Sequence, residues 1–457
     1  MKPEQLACWS LGTWSTLPSF PITQITQDSR KACLGTLYVA LKGDHHDGHD
    51  FVATAFKAGA TAALVSRDWT PPEEVNNLPL LRVADPLVAL AAIARGYRIS
   101  LRKTTVLGVT GSAGKTTLKE LAAAMLSGAG ITAATAGNYN NHVGLPLSLL
   151  AIPEEAKFAV IEAGISHPGD MDPLVEALRP SAAVITCIGP AHIEFFGTET
   201  AIAAEKAKLL AAIPPTGFAI LPAETHALET LQAACRCRTV LCSLKDRDAD
   251  WYGEPLAKGI LRVYRKGERT QLLESGLCGE HNASNGLLAY AAAREAGATA
   301  EQALAGLRTF KAPAMRWEQI SVGELHVIND AYNANPLSMR AALETFAGSD
   351  APHGKVVCVG DMLELGEAAD AQHRAVGEAS GNGPWRLLVA IGASSRALIE
   401  GAIAAGYAKS HTAWFATTAD AAEELPLLLE PGDTLLLKAS RGMRLETLLD
   451  ALRNVHR

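Results

Sequence analysis

The stretch GVTGSAGKTTLKELAAAML, residues 108–126, places a glycine-rich turn between an apolar run and a helical pattern. The preceding run, TTVLGV, is typical of a buried strand, and the following TLKELAAAML is rich in good helix formers. Strand, glycine turn, Lys115, Thr116 and helix follow one another as in a phosphate-binding loop. The order predicts a parallel sheet that binds a nucleotide at the end of this strand.

In such a loop the backbone amides surround phosphate oxygens, the lysine reaches the β and γ phosphates, and the hydroxyl can bind Mg²⁺. The general pattern has glycine where this chain has Val109. A glycine turn that only caps the helix is the alternative. The residues predicted to contact the nucleotide here are Gly111, Ser112, Ala113, Gly114, Lys115, Thr116 and Thr117.

The composition restricts the class of protein. The 457 residues are 48% hydrophobic and 19% charged, as in an ordinary globular protein, and exceed the length at which one core usually divides. A net charge of −7 without basic runs argues against nucleic-acid binding. The N-terminus lacks a signal pattern, and no apolar run approaches the roughly 20 residues of a membrane span. We expect a cytosolic protein without membrane insertion.

Apolar β-rich runs alternate with Ala- and Leu-rich helical patterns along most of the chain. This alternation predicts an α/β fold with parallel sheets. We divide it into residues 1–84, 85–312 and 313–457, with Asp85 capping a helix at the first boundary and Pro313 marking the second. The expected architecture is a small α/β N-terminal domain, a central P-loop ATPase-like domain and a Rossmann-like C-terminal domain.

Two further strands of the middle block lead to chemically active side chains. KFAVIEAG carries Glu162 at its carboxyl end, where open α/β sheets bind ligands and a carboxylate can help hold Mg²⁺. AAVITCIGPAH carries His192. A surface glutamate and a structural histidine are the alternatives.

Two clusters of potential metal ligands have simpler interpretations. HHDGHD supplies three histidines, but its glycine and aspartates favour a turn. Cys235, Cys237 and Cys242 have neither a CxxC pair nor a neighbouring histidine at zinc spacing, which favours reduced thiols.

Several motifs together resemble the ATP-dependent Mur ligases of peptidoglycan synthesis. The motifs, in family order, are DSR, ALKGDHHDGHDF, GVTGSAGKTT, VIEAGISHPGDM, CIGPAHIEFFG, GEHNASN, MRWE, NDAYNANPLSM and LLKASRG. The family has a shortened phosphate loop, TGxxGKT, which accounts for Val109. The resemblance implies Mg²⁺ ligands at two positions, with Thr116, Glu162 and His192 among them.

The resemblance also implies a carbamylated lysine that orients the second metal. The segment EKAKLL offers Lys206 and Lys208, and the separation from His192 favours Lys206. Carbamylation converts a neutral amine into an anion that can bind a metal. The residues assigned to catalysis are Lys115, Glu162, His192, Lys206 and Arg316.

The remaining roles implied by the resemblance concern ATP and the other substrates. Asn282 resembles the residue that contacts adenine in the family, and the adjacent His281 is expected to support it. Arg316 resembles the arginine that reaches the terminal phosphate. Asp330 and Asn333 resemble residues on the ribose side, although Asn335 before Pro336 also predicts a helix cap. The residues expected to bind the nucleotide-sugar are Asp28, Ser29, Arg30, Lys42, Gly43, Asn138 and Asn141. Asn138 and Asn141 could equally stabilise an irregular loop.

The implied activity is ATP-dependent addition of D-Ala-D-Ala to UDP-MurNAc-tripeptide, through an acyl phosphate, by a monomer that closes over its substrates. Another step of the same family or a folylpolyglutamate synthase is the alternative, although a DNPR tetrapeptide typical of diaminopimelate addition is absent from the third block. A nucleotide-dependent switch belongs to another class, and the missing NKxD guanine signature disfavours a GTPase of that kind.

Overall fold

The computed structural model describes residues 1–43, 45–351 and 353–455. Residue 44 of the motif ALKGDHHDGHDF and residues 352, 456 and 457 of the third block lie outside that range. Over the described residues the chain forms three sheets flanked by helices, which confirms the predicted three-part α/β fold. The limits at residues 84 and 312 stay a prediction.

Within residues 1–43 and 45–83, five strands form the first sheet in the order β1-β5-β4-β3-β2, parallel except at the β1–β5 edge. The strands are β1 (Thr13–Trp14), β2 (Gln24–Thr26), β3 (Thr36–Val39), β4 (Ala62–Ser66) and β5 (Leu80–Val83); the helices are α1 (Pro3–Ser10), α2 (Val52–Lys57) and α3 (Pro86–Ser100). As predicted, Asp85 caps α3, because its carboxylate accepts from the amides of Leu87 and Val88 at 2.7 and 3.1 Å.

Helix α3 belongs to the core of two sheets. Its Leu90 and Ile93 are fully buried in one apolar cluster with Leu64 of the first sheet and Leu145 of the central block. The first and central parts are therefore joined by continuous packing rather than by a free linker.

The second sheet has nine strands between residues 105 and 274, in the order β14-β13-β12-β11-β10-β9-β6-β8-β7. The strands are β6 (Thr105–Thr110), β7 (Thr132–Ala134), β8 (Phe158–Glu162), β9 (Ala182–Ile185), β10 (Phe218–Pro222), β11 (Arg238–Ser243), β12 (Trp251–Pro255), β13 (Ile260–Tyr264) and β14 (Gln271–Glu274). The helices are α4 (Lys115–Ser127), α5 (Gly144–Leu150), α6 (Met171–Leu178), α7 (Ile193–Phe196), α8 (Glu199–Ala211), α9 (Leu228–Ala234), α10 (Glu280–Glu295) and α11 (Ala300–Leu307). Strands β7 to β12 are parallel, and β12, β13 and β14 form an antiparallel extension.

In the described part of the third block, six strands form a sheet in the order β15-β16-β20-β17-β18-β19, parallel except for the β15–β16 hairpin. The strands are β15 (Glu318–Val322), β16 (Leu325–Asn329), β17 (Lys355–Gly360), β18 (Trp385–Ile391), β19 (Thr412–Phe415) and β20 (Thr434–Lys438). The helices are α12 (Pro336–Ala347), α13 (Ala369–Ser380), α14 (Ser395–Ala404), α15 (Thr418–Leu428) and α16 (Leu448–Val455). Buried aliphatic residues cover both faces of this sheet, as parallel strands require.

Candidate active site

The phosphate loop connects β6, at the centre of the second sheet, to the N-terminus of α4. Gly114 has a φ of +78°, and a Cβ there would lie 2.7 Å from Oδ1 of Asn285. A Cβ on Gly111 would lie 1.8 Å from Oγ1 of Thr186. Both positions therefore require glycine, since the loop is packed tightly against α10 and the end of β9.

Lys115 lies at the first position of α4 and folds back over the loop, donating from Nζ to the carbonyl of Gly111 at 2.9 Å. Thr186 Oγ1 donates to the Ala113 carbonyl, and Ser112 Oγ donates to the Gly189 carbonyl at 2.9 Å. These bonds fix the shape of the loop, as a preformed anion site requires.

Glu162 is 1% exposed at the end of β8. Thr116 Oγ1 donates to its Oε2 at 3.0 Å, and Asn140 Nδ2 donates to its Oε1 at 2.7 Å. The structure therefore brings together the hydroxyl of the loop and the carboxylate of the neighbouring strand. Asn140, which sequence reasoning passed over, fixes the carboxylate.

His192 lies beyond the end of its strand, because β9 ends at Ile185 and His192 is the residue that precedes α7. It has a φ of +58°, uncommon for a residue other than glycine. Its Nδ1 lies 2.5 Å from Oε2 of Glu364 in the third block, without the alignment of a hydrogen bond. Contact with the imidazole of His192 lowers the pKa of Glu364, while burial opposes that change.

Lys206 and Lys208 differ sharply in surroundings. Lys206 is 1% exposed in α8 and makes no hydrogen bond or ion pair with any residue that the structure describes. Burial, together with the nearby positive charge of Lys115, holds the pKa of Lys206 well below its usual value. Lys208 instead pairs with Asp172 at 2.8 Å and Glu205 at 2.9 Å, and these contacts raise its pKa.

Three basic side chains meet beside the loop. Burial lowers the pKa of Lys115, the carboxylate of Glu162 opposes that change, and the charge of Arg316 adds to it. Lys206 is close enough to Lys115 for their charges to repel. Among the described residues, the carboxylates of Glu162 and Glu205 act on three basic groups, an imbalance that a polyphosphate would neutralise.

Arg316 comes from the third block, between two non-glycine residues with positive φ, Met315 at +55° and Trp317 at +59°. Its guanidinium carbon lies 4.2 Å from the centre of the Tyr332 ring. Its Nε is buried without a hydrogen-bond partner among the described residues.

The carboxylate of Asp330 is held by two hydrogen bonds within the third block. Its Oδ2 accepts from Nζ of the buried Lys438 at 2.7 Å, and its Oδ1 accepts from the amide of Trp317 at 3.3 Å. The exposed Asn333 uses its Oδ1 to accept from the amide of Ala334, and its carbonyl accepts from Lys438 at 3.2 Å. Both residues therefore shape the turn after β16.

Asn282 is buried, and its Nδ2 donates to the carbonyl of Cys278 at 2.8 Å. It lines a small cavity of about 250 Å³, whereas His281 lines the large cleft. Asn285, one turn further along α10, contacts the phosphate loop and was not predicted. The repeat Asn-x-x-Asn, which places both amides on one helix face, is the signal that could have identified it.

Asn335 links the third block to the phosphate loop. Its Oδ1 accepts from the amide of Ser338 at 2.9 Å and so caps α12, as predicted. Its Nδ2 donates across the cleft to the carbonyl of Ser112 at 3.2 Å.

A cleft of about 1380 Å³ opens between the second and third sheets and reaches the end of β9. Its walls include Cys187, Lys245 and His281 on one side and Trp317, Ile328 and Thr345 on the other. The volume exceeds the roughly 300–1,000 Å³ of a pocket for one small ligand.

The residues predicted to bind a nucleotide-sugar lie at two places. In the first block, Arg30 is paired with Asp28 and the Arg30 side chain is 85% exposed, while the hydrogen bond from Arg30 lowers the pKa of Asp28. Ser29 is in the same turn, and Lys42 and Gly43 are exposed in a nearby loop.

In the central block, the other two residues of this set are both exposed. Asn138 interacts with Tyr332 of the third block. Asn141 caps the start of α5 by accepting from the amide of Gly144 at 2.8 Å.

The other candidate ligand clusters have structural roles. His49 is buried, with Nδ1 2.6 Å from Asp47 Oδ1 and Nε2 accepting from the amide of Ser66 at 2.9 Å. All eight cysteines are free thiols. Among the described residues, no group of three His, Cys, Asp or Glu side chains is arranged to hold a metal ion, and no helix is both long and apolar enough to cross a membrane.

Comparison with known proteins gives the same assignment over most of the chain. Three family models match: the Mur ligase family, catalytic domain at residues 21–124, the Mur ligase middle domain at 109–293 and the Mur ligase, glutamate ligase domain at 315–441. The UDP-N-acetylmuramoyl-tripeptide--D-alanyl-D-alanine ligases of Bacillus subtilis and Escherichia coli are 34% and 35% identical, over 94% of this chain and 92% and 93% of theirs.

Solved structures agree. A crystal structure of MurF from Acinetobacter baumannii is 30% identical with a TM-score of 0.89, covering 99% of this chain and 98% of that one. MurF from Thermotoga maritima in complex with ADP has the same fold, with a TM-score of 0.79 at 24% identity over 95% and 98% of the two chains. The fold and the phosphate-loop site are those of an ATP-dependent ligase. The chain belongs to the Mur ligase family.

Proposed function

We propose that this protein joins D-Ala-D-Ala to UDP-MurNAc-tripeptide at the expense of ATP, giving UDP-MurNAc-pentapeptide, ADP and phosphate. Relatives named for this reaction match 94% of the chain at 34% and 35% identity. A folylpolyglutamate synthase of Mycobacterium tuberculosis is 18% identical with a TM-score of 0.61, which shares the fold alone.

The observation that carries the proposal is that Lys115 of the phosphate loop interacts with Glu162, Lys206 and Arg316. Two of these basic groups come from the central block and one from the third. Such a site suits a reaction in which negative charge moves between a triphosphate and an acceptor.

In the first step, the terminal carboxylate of the tripeptide attacks the γ-phosphorus of ATP. Lys115 and the loop amides hold the β and γ phosphates, and Arg316 offers its unpartnered N–H groups to the charge that develops on the transferred group. The carboxylate oxygen–phosphorus bond forms, the bond to the β-phosphate oxygen breaks, and ADP leaves.

In the second step, the free amine of the dipeptide attacks the carbonyl carbon of the acyl phosphate. The tetrahedral adduct collapses with loss of phosphate and a proton, forming the amide. The docked third block excludes water, which would otherwise hydrolyse the acyl phosphate.

The residues present fit a Mg²⁺ ion that arrives with the nucleotide. Oγ1 of Thr116 and Oε2 of Glu162 lie 3.0 Å apart at the loop, and His192 contacts Glu364 of the third block. Mg²⁺ is commonly held by one or two carboxylates together with substrate phosphates, so a three-residue protein cage is unnecessary. When bound, Mg²⁺ neutralises phosphate charge and reduces the repulsion between triphosphate and carboxylate.

Lys206 is suited to carbamylation. Its neutral amine attacks the carbon of CO₂, a C–N bond forms, and one proton goes to water, leaving a carbamate anion. Burial supplies the neutral amine and leaves Nζ without a competing partner among the described residues. The carbamate gives the site a second carboxylate-like group for a second Mg²⁺.

The three blocks then divide the work. Residues 1–84 bind the UDP-sugar, residues 85–312 bind ATP, and residues 313–457 bind the dipeptide and close over ATP. Arg30 and Lys42 suit the diphosphate of the nucleotide-sugar, because both are exposed basic groups on one block. The protein works in the cytoplasm, where ATP is available, and as a monomer.

The test is phosphate release from ATP by the purified protein with UDP-MurNAc-tripeptide and D-Ala-D-Ala, each omitted in turn. We expect release to require all three, with a product heavier than the tripeptide by the dipeptide less one water. With ¹⁸O in the terminal carboxylate of the tripeptide, one ¹⁸O should appear in the released phosphate, because that oxygen bridges the acyl phosphate.

The matched controls are Lys115→Ala, which should abolish release, and the exposed Lys103→Ala, which should retain it. Release that is indifferent to the dipeptide would support the folate or switch alternative. Unlabelled phosphate would contradict the acyl-phosphate route while leaving the ligase assignment intact.

A further inference from the structure

The loop that carries Arg316 is fastened to the turn that carries Tyr332. The amide of Tyr332 donates to the carbonyl of Met315 at 3.3 Å, and the amide of Trp317 donates to Oδ1 of Asp330 at 3.3 Å. Met315 also donates its amide to Oε2 of Glu318 at 3.0 Å. These bonds hold Met315 and Trp317 at positive φ, a conformation that persists only where the surroundings impose it.

The side chain of Arg316 lies on an aromatic face, and its Nε has no hydrogen-bond partner among the residues that the structure describes. Its guanidinium carbon is 4.2 Å from the centre of the Tyr332 ring, well inside the distance of a cation–π contact. The same Nε is buried. A ring that supports a guanidinium fixes its plane but leaves its N–H edge for an anion.

Tyr332 also spans the boundary between the two walls of the cleft. Its hydroxyl interacts with Asn138 of the central block, and its ring lies in the field of both Arg316 and Glu162. Burial raises the pKa of Tyr332, so the phenol remains neutral and able to donate. The residue can therefore support Arg316 in the orientation reached when the third block is docked.

We propose that Tyr332 is a positioning residue that holds the guanidinium of Arg316 toward the terminal phosphate of the bound nucleotide. The inference rests on the proposed function, because that function gives Arg316 its phosphate. Tyr332 itself touches no reacting atom. The competing explanation is that the ring only fills space between the blocks.

The test compares Tyr332→Leu with Tyr332→Phe, using calorimetric binding of ADP and of a β,γ-imido analogue of ATP. We expect Tyr332→Leu to weaken the analogue about tenfold, the scale of one partly buried cation–π contact, and to leave ADP affinity unchanged. Tyr332→Phe keeps the ring and should keep the analogue affinity within about twofold. In steady-state assays Tyr332→Leu should lower kcat more than it changes KM for ATP.

A double-mutant cycle separates positioning from packing. In an Arg316→Ala background, Tyr332→Leu should weaken analogue binding no further, because no guanidinium remains to be held. Equal loss of ADP and analogue affinity, or an undiminished effect in the Arg316→Ala background, would assign the ring to packing and overturn the proposal. Thermal unfolding of each variant shows whether a loss comes from misfolding, and Tyr332→Met, which fills space without a ring, carries the comparison if Tyr332→Leu does not fold.

The two proposals fail separately. If the wild-type protein makes no pentapeptide but Tyr332→Leu still loses analogue affinity selectively, the ligase assignment is wrong and the positioning role stands. If pentapeptide forms and the variant binds the analogue as tightly as the wild type, the positioning role is wrong and the ligase assignment stands.

Discussion

Lys206 is a buried amine beside a second cation, so its protonated form is disfavoured. Only a neutral amine reacts with CO₂, which is why we expect Lys206→Ala to lower ligase activity by at least about 100-fold, the upper range for loss of a metal-supporting group. Added acetate or formate should restore part of the activity by occupying the place of the carbamate. Pentapeptide formation, followed by mass spectrometry, measures both effects.

Lys208→Ala is the matched control for that substitution. Lys208 lies on the same helix, but its ammonium is held by Asp172 and Glu205, so its removal should leave activity near that of the wild type. An active Lys206→Ala together with an inactive Lys208→Ala would transfer the role to Lys208.

The lowered pKa of His281 makes the free energy of unfolding depend on pH. Burial lowers its pKa from 6.5 to about 4, against the attraction of Asp330. Between those two values the unfolded chain binds a proton that the folded chain does not, so the free energy of unfolding falls as the pH falls from 6.5 toward 4. Above pH 6.5 this contribution is constant.

We expect His281→Asn to flatten part of that dependence in urea unfolding measured across the same pH range. The exposed His142→Asn is the control, since its ring is hydrated in both states. An identical slope in wild type and His281→Asn would show that other groups cause the acid sensitivity.

At the scale of single elements, the side chain of Asn335 contacts both helix α12 and the phosphate loop. Its oxygen caps α12 and its nitrogen donates to Ser112 of the phosphate loop. Asn335→Ala should cost about 1 kcal/mol of stability through the lost cap. Asn335→Asp keeps a good cap but sets a carboxylate against a carbonyl, so it should retain stability and lose catalytic rate.

Thermal unfolding and ATP turnover distinguish the two variants. If Asn335→Asp were as active as the wild type, the bond to Ser112 would have no part in organising the loop. The comparison isolates the contact between blocks from the stability of the helix.

The elements that sequence reasoning identified are those with continuous apolar runs. VLGVT, FAVIEAG and KVVCVGDM became the buried parallel strands β6, β8 and β17, as predicted. Strands β12, β13 and β14 were not predicted, because each alternates buried and partly exposed residues and carries charges such as Glu254 and Arg262. Their stability comes from pairing with one another, which local composition does not reveal.

The residues of the site likewise divide into those that a local motif identifies and those that it does not. Lys115, Glu162 and Arg316 could be named because each stands in a local motif. Asn140, Glu364 and Tyr332 could not, since their roles depend on partners 22 to 194 residues away: Glu162, His192 and Asn138 respectively. The contacts of Glu364 and Tyr332 also require the central and third blocks to be docked.

For the whole molecule, the contacts between the central and third blocks combine hydrogen bonds and an ion pair with apolar packing of Ile193 against a buried cluster of the third block. Asn335 reaches Ser112, and Glu364 lies against His192. Polar contacts of this kind can be broken at low cost, so we expect the third block to open without ligand and to close when nucleotide and substrate bind. Small-angle X-ray scattering should record a smaller radius of gyration with both ligands present.

The double variant Asn335→Asp/Glu364→Ala should show a weaker contraction, because both contacts are removed. A scattering profile unchanged by ligands in the wild type would contradict closure.

Helix α3 has a consequence for how the molecule melts. Because Leu90 and Ile93 share one apolar cluster with the first sheet and the central block, neither part can lose its structure without exposing the other. The third block has buried clusters of its own. Differential scanning calorimetry should therefore resolve two heat-absorption peaks rather than three, and adding ADP should move both upward only if the nucleotide bridges the two cooperative units. Three separate peaks would show that the shared cluster does not couple the first sheet to the central block.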